Sequence, residues 1–139
     1  MNMKKYSFTF DPNKKGLRKI LGDLETDIME ILWKQNEMTV HDVHKKILSQ
    51  RSIAYTTVMT VMSRLEEKGL LRRVKEGNVF VYSPSIAKEQ FTLSTVKKVI
   101  NEILADFSTP ALSSFVESLD EMDSDKIKEL TKLIEEKRK

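Results

Sequence analysis

The apolar residues in the first half of the chain recur at helical spacing in three short segments. The first segment, residues 23–35, keeps its apolar side chains on one face. The second opens at Thr39, a predicted N-cap with Asp42 at the capping-box position. The third follows the turn 49–53 and stops at Gly69, a residue type that commonly ends helices. The predicted buried faces are Leu24, Ile28, Ile31 and Leu32 with Trp33 beside them, then Val40, Val43 and Ile47, then Val58, Val61, Met62 and Leu65.

Beyond Gly69 the pattern changes to the alternation of a half-buried β-hairpin. Residues 70–82 form two predicted strands around the turn sequence 75–78, and Pro84 ends the second strand. Three helices and a hairpin within about 60 residues predict a winged helix-turn-helix, whose third helix enters the major groove of DNA. The predicted fold class is mainly α, with this DNA-binding domain at 21–84 and a helical dimerisation region at 85–139.

The exposed side of the third helix carries no charge over its first two turns, where a surface helix normally carries lysine and glutamate. Its hydroxyl and methyl groups suit the floor of a major groove, where they contact base edges and thymine methyls. Basic residues begin at Arg64 and continue into the hairpin, where they can neutralise phosphates. The face comprises Thr56, Met59, Thr60, Ser63 and Glu67, and the predicted DNA contacts are Tyr55, Thr56, Thr57, Met59, Thr60, Arg64, Arg72, Arg73, Lys75 and Asn78.

Several roles within this set stay open at the level of sequence. Tyr55 either anchors the third helix by packing or donates its hydroxyl to a phosphate. Arg72 and Arg73 lie on opposite faces of a regular strand, so only one of them is expected to point at DNA. The basic cluster as a whole could also be no more than a solvated, charged surface.

The region 85–139 is predicted to form amphipathic helices with a break at Ser108-Thr109-Pro110, a cap followed by proline at the first helical position. Ser124 is the predicted cap of the last helix. The apolar faces of these helices are too large for one small domain to cover, so we expect a twofold dimer. An intramolecular three-helix bundle is the alternative. The predicted dimer residues are Val96, Val99, Ile100, Ile103, Leu104, Phe107, Leu112, Phe115, Val116, Leu119, Ile127, Leu130, Leu133 and Ile134.

Charge is unevenly distributed along the chain, whose formal net charge is +3. Residues 1–20 form a basic N-terminal extension, whereas the region 85–139 is slightly acidic. Tyr6, Phe8 and Phe10 alternate as in a short strand, and a turn is predicted at 11–13. This extension is either a basic arm that reaches DNA or a partly ordered tail.

Other chemistry finds little support in the sequence. There is no cysteine, so a disulfide framework and a thiolate metal site are excluded. His41 and His44 could share a metal ion, but a structural or catalytic zinc needs three or four ligands. The chain has no phosphate-binding glycine loop, no metalloprotease helix and no apolar run long enough for a membrane span. We therefore expect a cytoplasmic protein that is not an enzyme, binds no cofactor or metal and does not insert into membranes.

An ordered set of short motifs resembles the penicillinase repressors (BlaI/MecI type) over about residues 21–137. The motifs are Leu21-Gly22-Asp23-Leu24-Glu25, Ile28-Met29, Leu32-Trp33, Val40-His41-Asp42-Val43, Ala54-Tyr55-Thr56-Thr57-Val58-Met59-Thr60, Arg64-Leu65, Lys68-Gly69 and the hairpin from Gly77 to Tyr82-Ser83-Pro84. The resemblance implies a repressor that dimerises through its C-terminal helices and holds a palindromic operator. It also implies that Thr56, Thr57, Met59 and Thr60 contact the groove, with Arg64 and the wing on phosphates.

The resemblance further implies a membrane sensor-transducer with a zinc protease domain, which triggers cutting of the repressor within its dimerisation helices. Well-known members are cut between asparagine and phenylalanine. The corresponding bond here is Asn101-Glu102, so the second residue departs from the family pattern. The copper-responsive branch of the family uses a cysteine-rich tail, and its absence here excludes copper sensing by that route.

Two further functions are compatible with the same fold. One is a winged helix that contacts other proteins, although the uncharged groove face flanked by Arg64, Arg72, Arg73 and Lys75 argues against it. The other is a regulator that binds a small molecule between the DNA module and the dimer helices. No pocket is marked in the sequence, but apolar pockets rarely are.

Overall fold

The computed structural model describes residues 10–139, so Tyr6 and Phe8 of the predicted N-terminal strand lie outside the described residues. A 3-10 turn at Gly16–Lys19 precedes three helices and a hairpin. A second 3-10 turn, Leu119–Glu121, separates two further helices. The elements are α1 (Asp23–Gln35), α2 (Val40–Leu48), α3 (Tyr55–Glu67), β1 (Leu71–Glu76), β2 (Val79–Pro84), α4 (Lys88–Ser118) and α5 (Ser124–Arg138).

Local capping chemistry sets the helix boundaries much as the sequence predicts. The Thr39 hydroxyl accepts a hydrogen bond from the Asp42 N–H at 3.1 Å. The Thr39 N–H donates to Asp42 Oδ2 at 3.3 Å, which completes the capping box of α2. Gly69 follows α3 with φ of +88°, a left-handed conformation that favours glycine. Both predicted boundaries are confirmed.

The apolar stripes of α1, α2 and α3 converge on one core. Each helix contributes side chains with no exposed surface, among them Ile28, Val43 and Met62. Leu24, Ile31, Trp33 and Val61 are partly buried against that core. The three predicted buried faces are therefore confirmed, and burial of each large apolar side chain stabilises the fold by about 1.5–3 kcal/mol.

The hairpin is antiparallel, with Arg73 opposite Tyr82 and Lys75 opposite Phe80. Its turn falls at Gly77-Asn78, where Gly77 has φ of +62°. Tyr82 joins the hairpin to the segment before α2, because its backbone exchanges two hydrogen bonds with Met38, at 2.8 and 3.0 Å. The predicted wing is thus present and held against the helices.

The chain divides into two compact units, one ending at Thr95 and one comprising Val96–Lys139. The first unit reaches beyond the predicted domain end at Pro84, because Ile86 and Phe91 belong to its core. The Trp33 indole N–H donates to the Ile86 carbonyl at 3.0 Å. The start of α4 is therefore part of the first unit.

The second unit contains the remainder of α4 and α5. Phe107 has non-helical backbone angles (φ −136°, ψ 45°), so the helical path breaks one residue before the predicted cap at Ser108. The prediction for the last helix was wrong in its capping residue. Asp123 rather than Ser124 is the N-cap, because its carboxylate accepts from the Lys126 N–H at 2.9 Å. Asp123 reaches this N–H because its backbone is extended, whereas Ser124 is already helical.

Candidate nucleic-acid interface

The face of α3 opposite its buried stripe is exposed. Val58, Met62 and Leu65 have no exposed surface, whereas Met59 is 41% exposed. The polar neighbours that the sequence assigns to DNA are exposed as well; they are Thr56, Thr57, Thr60 and Arg64. The structure therefore brings the predicted groove contacts together on one accessible surface.

The three threonines of this surface are not chemically equivalent. The Thr60 hydroxyl donates to the Thr56 carbonyl at 2.9 Å, so Thr60 presents its methyl group and oxygen lone pairs outward. Within residues 10–139 the side chains of Thr56 and Thr57 make no hydrogen bond. Their hydroxyl groups can both donate to and accept from base edges.

The N-terminus of α3 is open to an anion. Its N-cap is Ala54, which has no acceptor side chain, and no acidic residue lies in the first turn. The first N–H groups of a helix have no intrahelical partner, and the helix dipole adds partial positive charge there. DNA phosphates are suitable acceptors at such a position.

Tyr55 at the start of α3 packs edge-on against His44, with ring centroids 5.7 Å apart. His44 Nε2 lies 2.8 Å from the Ile53 carbonyl oxygen. The packing role of Tyr55 is therefore present, and its phosphate contact stays a prediction. In the described part of the chain, no cluster of three or more histidine, aspartate or glutamate residues could hold a metal ion.

The two wing arginines lie on opposite faces of β1, as alternation predicts. Arg72 Nε donates to the Ser83 hydroxyl at 3.0 Å. Arg73 instead faces α3, with its Nε 3.7 Å from Glu66 Oε1 and its guanidinium carbon 4.3 Å from the Phe80 ring centroid. A hydrogen bond with Tyr82, and to a lesser degree the nearby Glu66, raises the pKa of Arg73 above its usual value, so this residue keeps its charge.

Arg73 borders a groove of about 460 Å³ between α3 and the hairpin. Phe80 is 42% exposed there, although sequence analysis did not single it out as a contact. The alternation of β2 could have revealed it, since Phe80 shares a face with Tyr82. Lys75 is exposed on β1. The groove is lined by Thr39, Val40, His41, Tyr55, Met59, Thr60, Ser63, Arg73, Asn78, Val79, Phe80 and Tyr82.

The second unit leaves its apolar stripe uncovered, and none of residues 96–139 is buried. This exposure does not favour an intramolecular three-helix bundle, which would bury part of the stripe. Asn101 and Glu102 are exposed in α4. Of the predicted dimer residues, Val99, Leu104, Leu119 and Leu130 are half-buried, and Val96, Ile100, Ile103, Phe107, Leu112, Phe115, Val116, Ile127, Leu133 and Ile134 are exposed.

Helices long and apolar enough to cross a membrane do not occur among the described residues.

Comparison with known proteins shows the family. A sequence profile described as penicillinase repressor matches residues 21–136. The penicillinase repressor of Bacillus licheniformis is 28% identical over 116 residues, which cover 84% of this chain and 90% of that protein. The transcriptional regulator BlaI of Mycobacterium tuberculosis is 39% identical over 71 residues, which cover 50% of this chain and 51% of that protein.

A solved structure of the DNA-binding domain of the repressor BlaI is 32% identical, with a TM-score of 0.46. The match covers 54% of this chain and 90% of that one. The family profile covers most of both units. It includes α1, α2, α3 and the hairpin, and therefore the exposed face of α3 that carries Thr56, Thr57 and Thr60. Because the family profile matches residues 21–136, the chain belongs to the penicillinase repressor family of winged-helix transcriptional repressors that bind DNA.

Proposed function

We propose that two copies of this chain bind a palindromic operator as a dimer, with one α3 in each of two major grooves. The observation that carries this proposal is the exposed threonine and methionine face of α3, flanked by Arg64 and Arg73. Half-sites should then lie about one helical turn apart, or a multiple of it, on one face of the DNA. We place the protein in the cytoplasm, together with the DNA that it binds.

The exposed apolar stripe of the second unit supports the dimer. Ile100, Ile103 and Phe107 lie on one face of α4 and are between 45% and 60% exposed. Contiguous apolar surface of this kind marks an interaction site. In a twofold dimer the same stripe from a second copy covers it.

Release from the operator follows from the link between dimerisation and DNA binding. A dimer binds its second half-site as an effectively intramolecular event, so affinity falls steeply when the two DNA-binding units are separated. We assign the cut to Asn101-Glu102, which is exposed in α4. The membrane sensor-transducer implied by the family would trigger this cut. A cut there would detach most of the dimer stripe and leave the first unit intact.

The test is binding of the full chain to DNA upstream of its own gene and to random DNA of equal length, across a salt series. We expect dimeric, selective binding whose affinity falls steeply with salt, because phosphate neutralisation releases counterions. Equal, weak binding to both DNAs would contradict the proposal and favour the protein-contact alternative.

A substitution on α3 sharpens this test. Thr57→Ala should cost about 1–3 kcal/mol on the operator and relax base preference at defined positions, because a good base contact is lost. Thr131→Ala is the matched control, since it removes the same hydroxyl from an exposed position of α5. Equal losses on operator and random DNA for Thr57→Ala would show that this threonine does not read bases.

A further inference from the structure

Residues 10–20 precede the region that the family profile matches, yet they are docked on the first unit. The Asp11 N–H donates to the Lys19 carbonyl at 2.7 Å. Leu17 and Ile20 pack against the core. This docked segment is therefore an element that the family resemblance did not predict.

Asp27 of α1 connects this segment to the turn before α3. Its Oδ1 lies 2.5 Å from Arg18 Nη2, and its Oδ2 lies 2.6 Å from Arg51 Nη2. The Asp27 side chain is only 17% exposed. One half-buried carboxylate thus joins the N-terminal segment, α1 and the connection 49–54.

Arg51 depends on this carboxylate for its position. Its Nε is buried and has no hydrogen-bond acceptor within the described residues. The ion pair with Asp27 is a charge-assisted hydrogen bond, which is stronger than a neutral one. The connection that carries Arg51 leads directly into Tyr55, the first residue of α3.

We propose that Arg18 is a positioning residue that, through Asp27, holds Arg51 and thereby the connection 49–54 at the start of α3. Arg18 and Arg51 occupy different oxygens of one carboxylate, so the Arg18 side chain covers Asp27 on the side away from Arg51 and keeps water from it. Without Arg18, water reaches Asp27 and competes for it, which weakens the pair with Arg51. The start of α3 then samples more conformations.

The same contacts argue against Arg18 as a DNA-binding residue. Arg18 Nη1 also donates to the Asp23 carbonyl at 3.0 Å and lies 3.2 Å from Asp23 Oδ1. A guanidinium whose N–H groups already donate to two carboxylates and a carbonyl has fewer donors left for a phosphate. Residues 10–20 therefore stabilise the first unit and do not contact DNA through Arg18.

Amide hydrogen exchange of the free, full-length protein directly tests whether Arg18 stabilises the connection 49–54. The Gln50 and Arg51 N–H groups bond to the Ile47 carbonyl, and the Val58 N–H bonds to the Ala54 carbonyl. Arg18→Met should accelerate exchange at these amides about threefold or more, because local opening becomes more frequent. Arg18→Lys, which can still pair with Asp27, should restore most of the protection.

Lys15→Met is the matched control, since it removes one exposed positive charge from the same segment and should leave these amides unchanged. Unaltered exchange in Arg18→Met would overturn the inference. Acceleration spread equally over α1, including amides remote from the connection, would overturn it too, since it would show general destabilisation.

A DNA measurement distinguishes positioning from contact and rests on the proposed function. With the operator, Arg18→Met should lower selectivity over random DNA about fivefold and leave the salt dependence unchanged. A loss on both DNAs with a shallower salt dependence would show that Arg18 contacts phosphate, and would overturn the inference. If the wild-type chain showed no selectivity, the proposed function would fail, and the exchange result would still decide the role of Arg18.

Discussion

Ile103→Asp is the substitution that most directly tests the proposed assembly. Full burial of an isoleucine side chain stabilises by about 1.5–3 kcal/mol. Ile103 is 45% exposed in the single chain, so covering the exposed part contributes about 1 kcal/mol for each copy. The twofold axis doubles this to about 2 kcal/mol, or about 30-fold in the dimer Kd for truncation alone.

The aspartate raises the effect above that of truncation. Placing a carboxylate in an apolar interface without a partner adds a desolvation penalty, so Ile103→Asp should be more disruptive than Ile103→Ala. Sedimentation equilibrium over a range of protein concentrations measures the dimer Kd of each variant. Operator titrations in the same buffer should show a parallel loss of affinity, because dimerisation and binding are coupled.

Ala105→Asp is the control for the added charge, since helical spacing places residue 105 opposite the stripe that contains Ile103. Its dimer Kd should stay close to that of the wild type. The reasoning would be refuted if Ile103→Asp and Ala105→Asp gave the same Kd and the same operator affinity. In that case another surface of the chain would form the dimer.

Three further predictions follow from the first unit. Arg73→Gln should weaken binding to all DNA and reduce the slope of log affinity against log salt by about 1, measured by anisotropy, whereas Arg72→Gln on the opposite face should change it less. Met62→Ala should lower the free energy of unfolding by about 2–5 kcal/mol in urea titrations, because a fully buried side chain is lost. Hydrogen bonding to Arg18 lowers the pKa of Asp23 below its usual value, so this ion pair stabilises the fold above the usual pKa and its contribution is lost as the pH falls through the lowered one. Arg18→Met should therefore flatten the acid side of a plot of unfolding free energy against pH, measured by urea titrations.

Helix α3 shows how much of the structure can be predicted from local sequence pattern alone. Its buried stripe, its exposed threonine face and its stop at Gly69 all follow from helical spacing and glycine preference. The capping box of Thr39 and Asp42 is likewise local, because its two partners are three residues apart. Interactions of this range depend little on the rest of the fold, which is why they could be predicted.

The structure corrected a prediction where two adjacent residues competed for one role. It extended another where the interacting residues are far apart along the chain. Asp123 displaced Ser124 as a helix cap because two adjacent residues both offered acceptors, and backbone conformation decided between them. Phe91 joined the core because Trp33 lies beside it, with ring centroids 6.0 Å apart. Sequence spacing carries no signal for a contact between residues so far apart along the chain.

The sequence by itself determined the helices, the hairpin and the uncharged face of α3, because each depends on periodicity and near-neighbour chemistry. Only the tertiary structure decided which wing arginine faces α3, since that required the register of β1 against β2. It also decided that Arg18 and Arg51 share Asp27, a contact between residues 24 positions apart for the Arg51 pair. Long-range ion pairs depend on how the elements pack, and packing is a property of the whole fold.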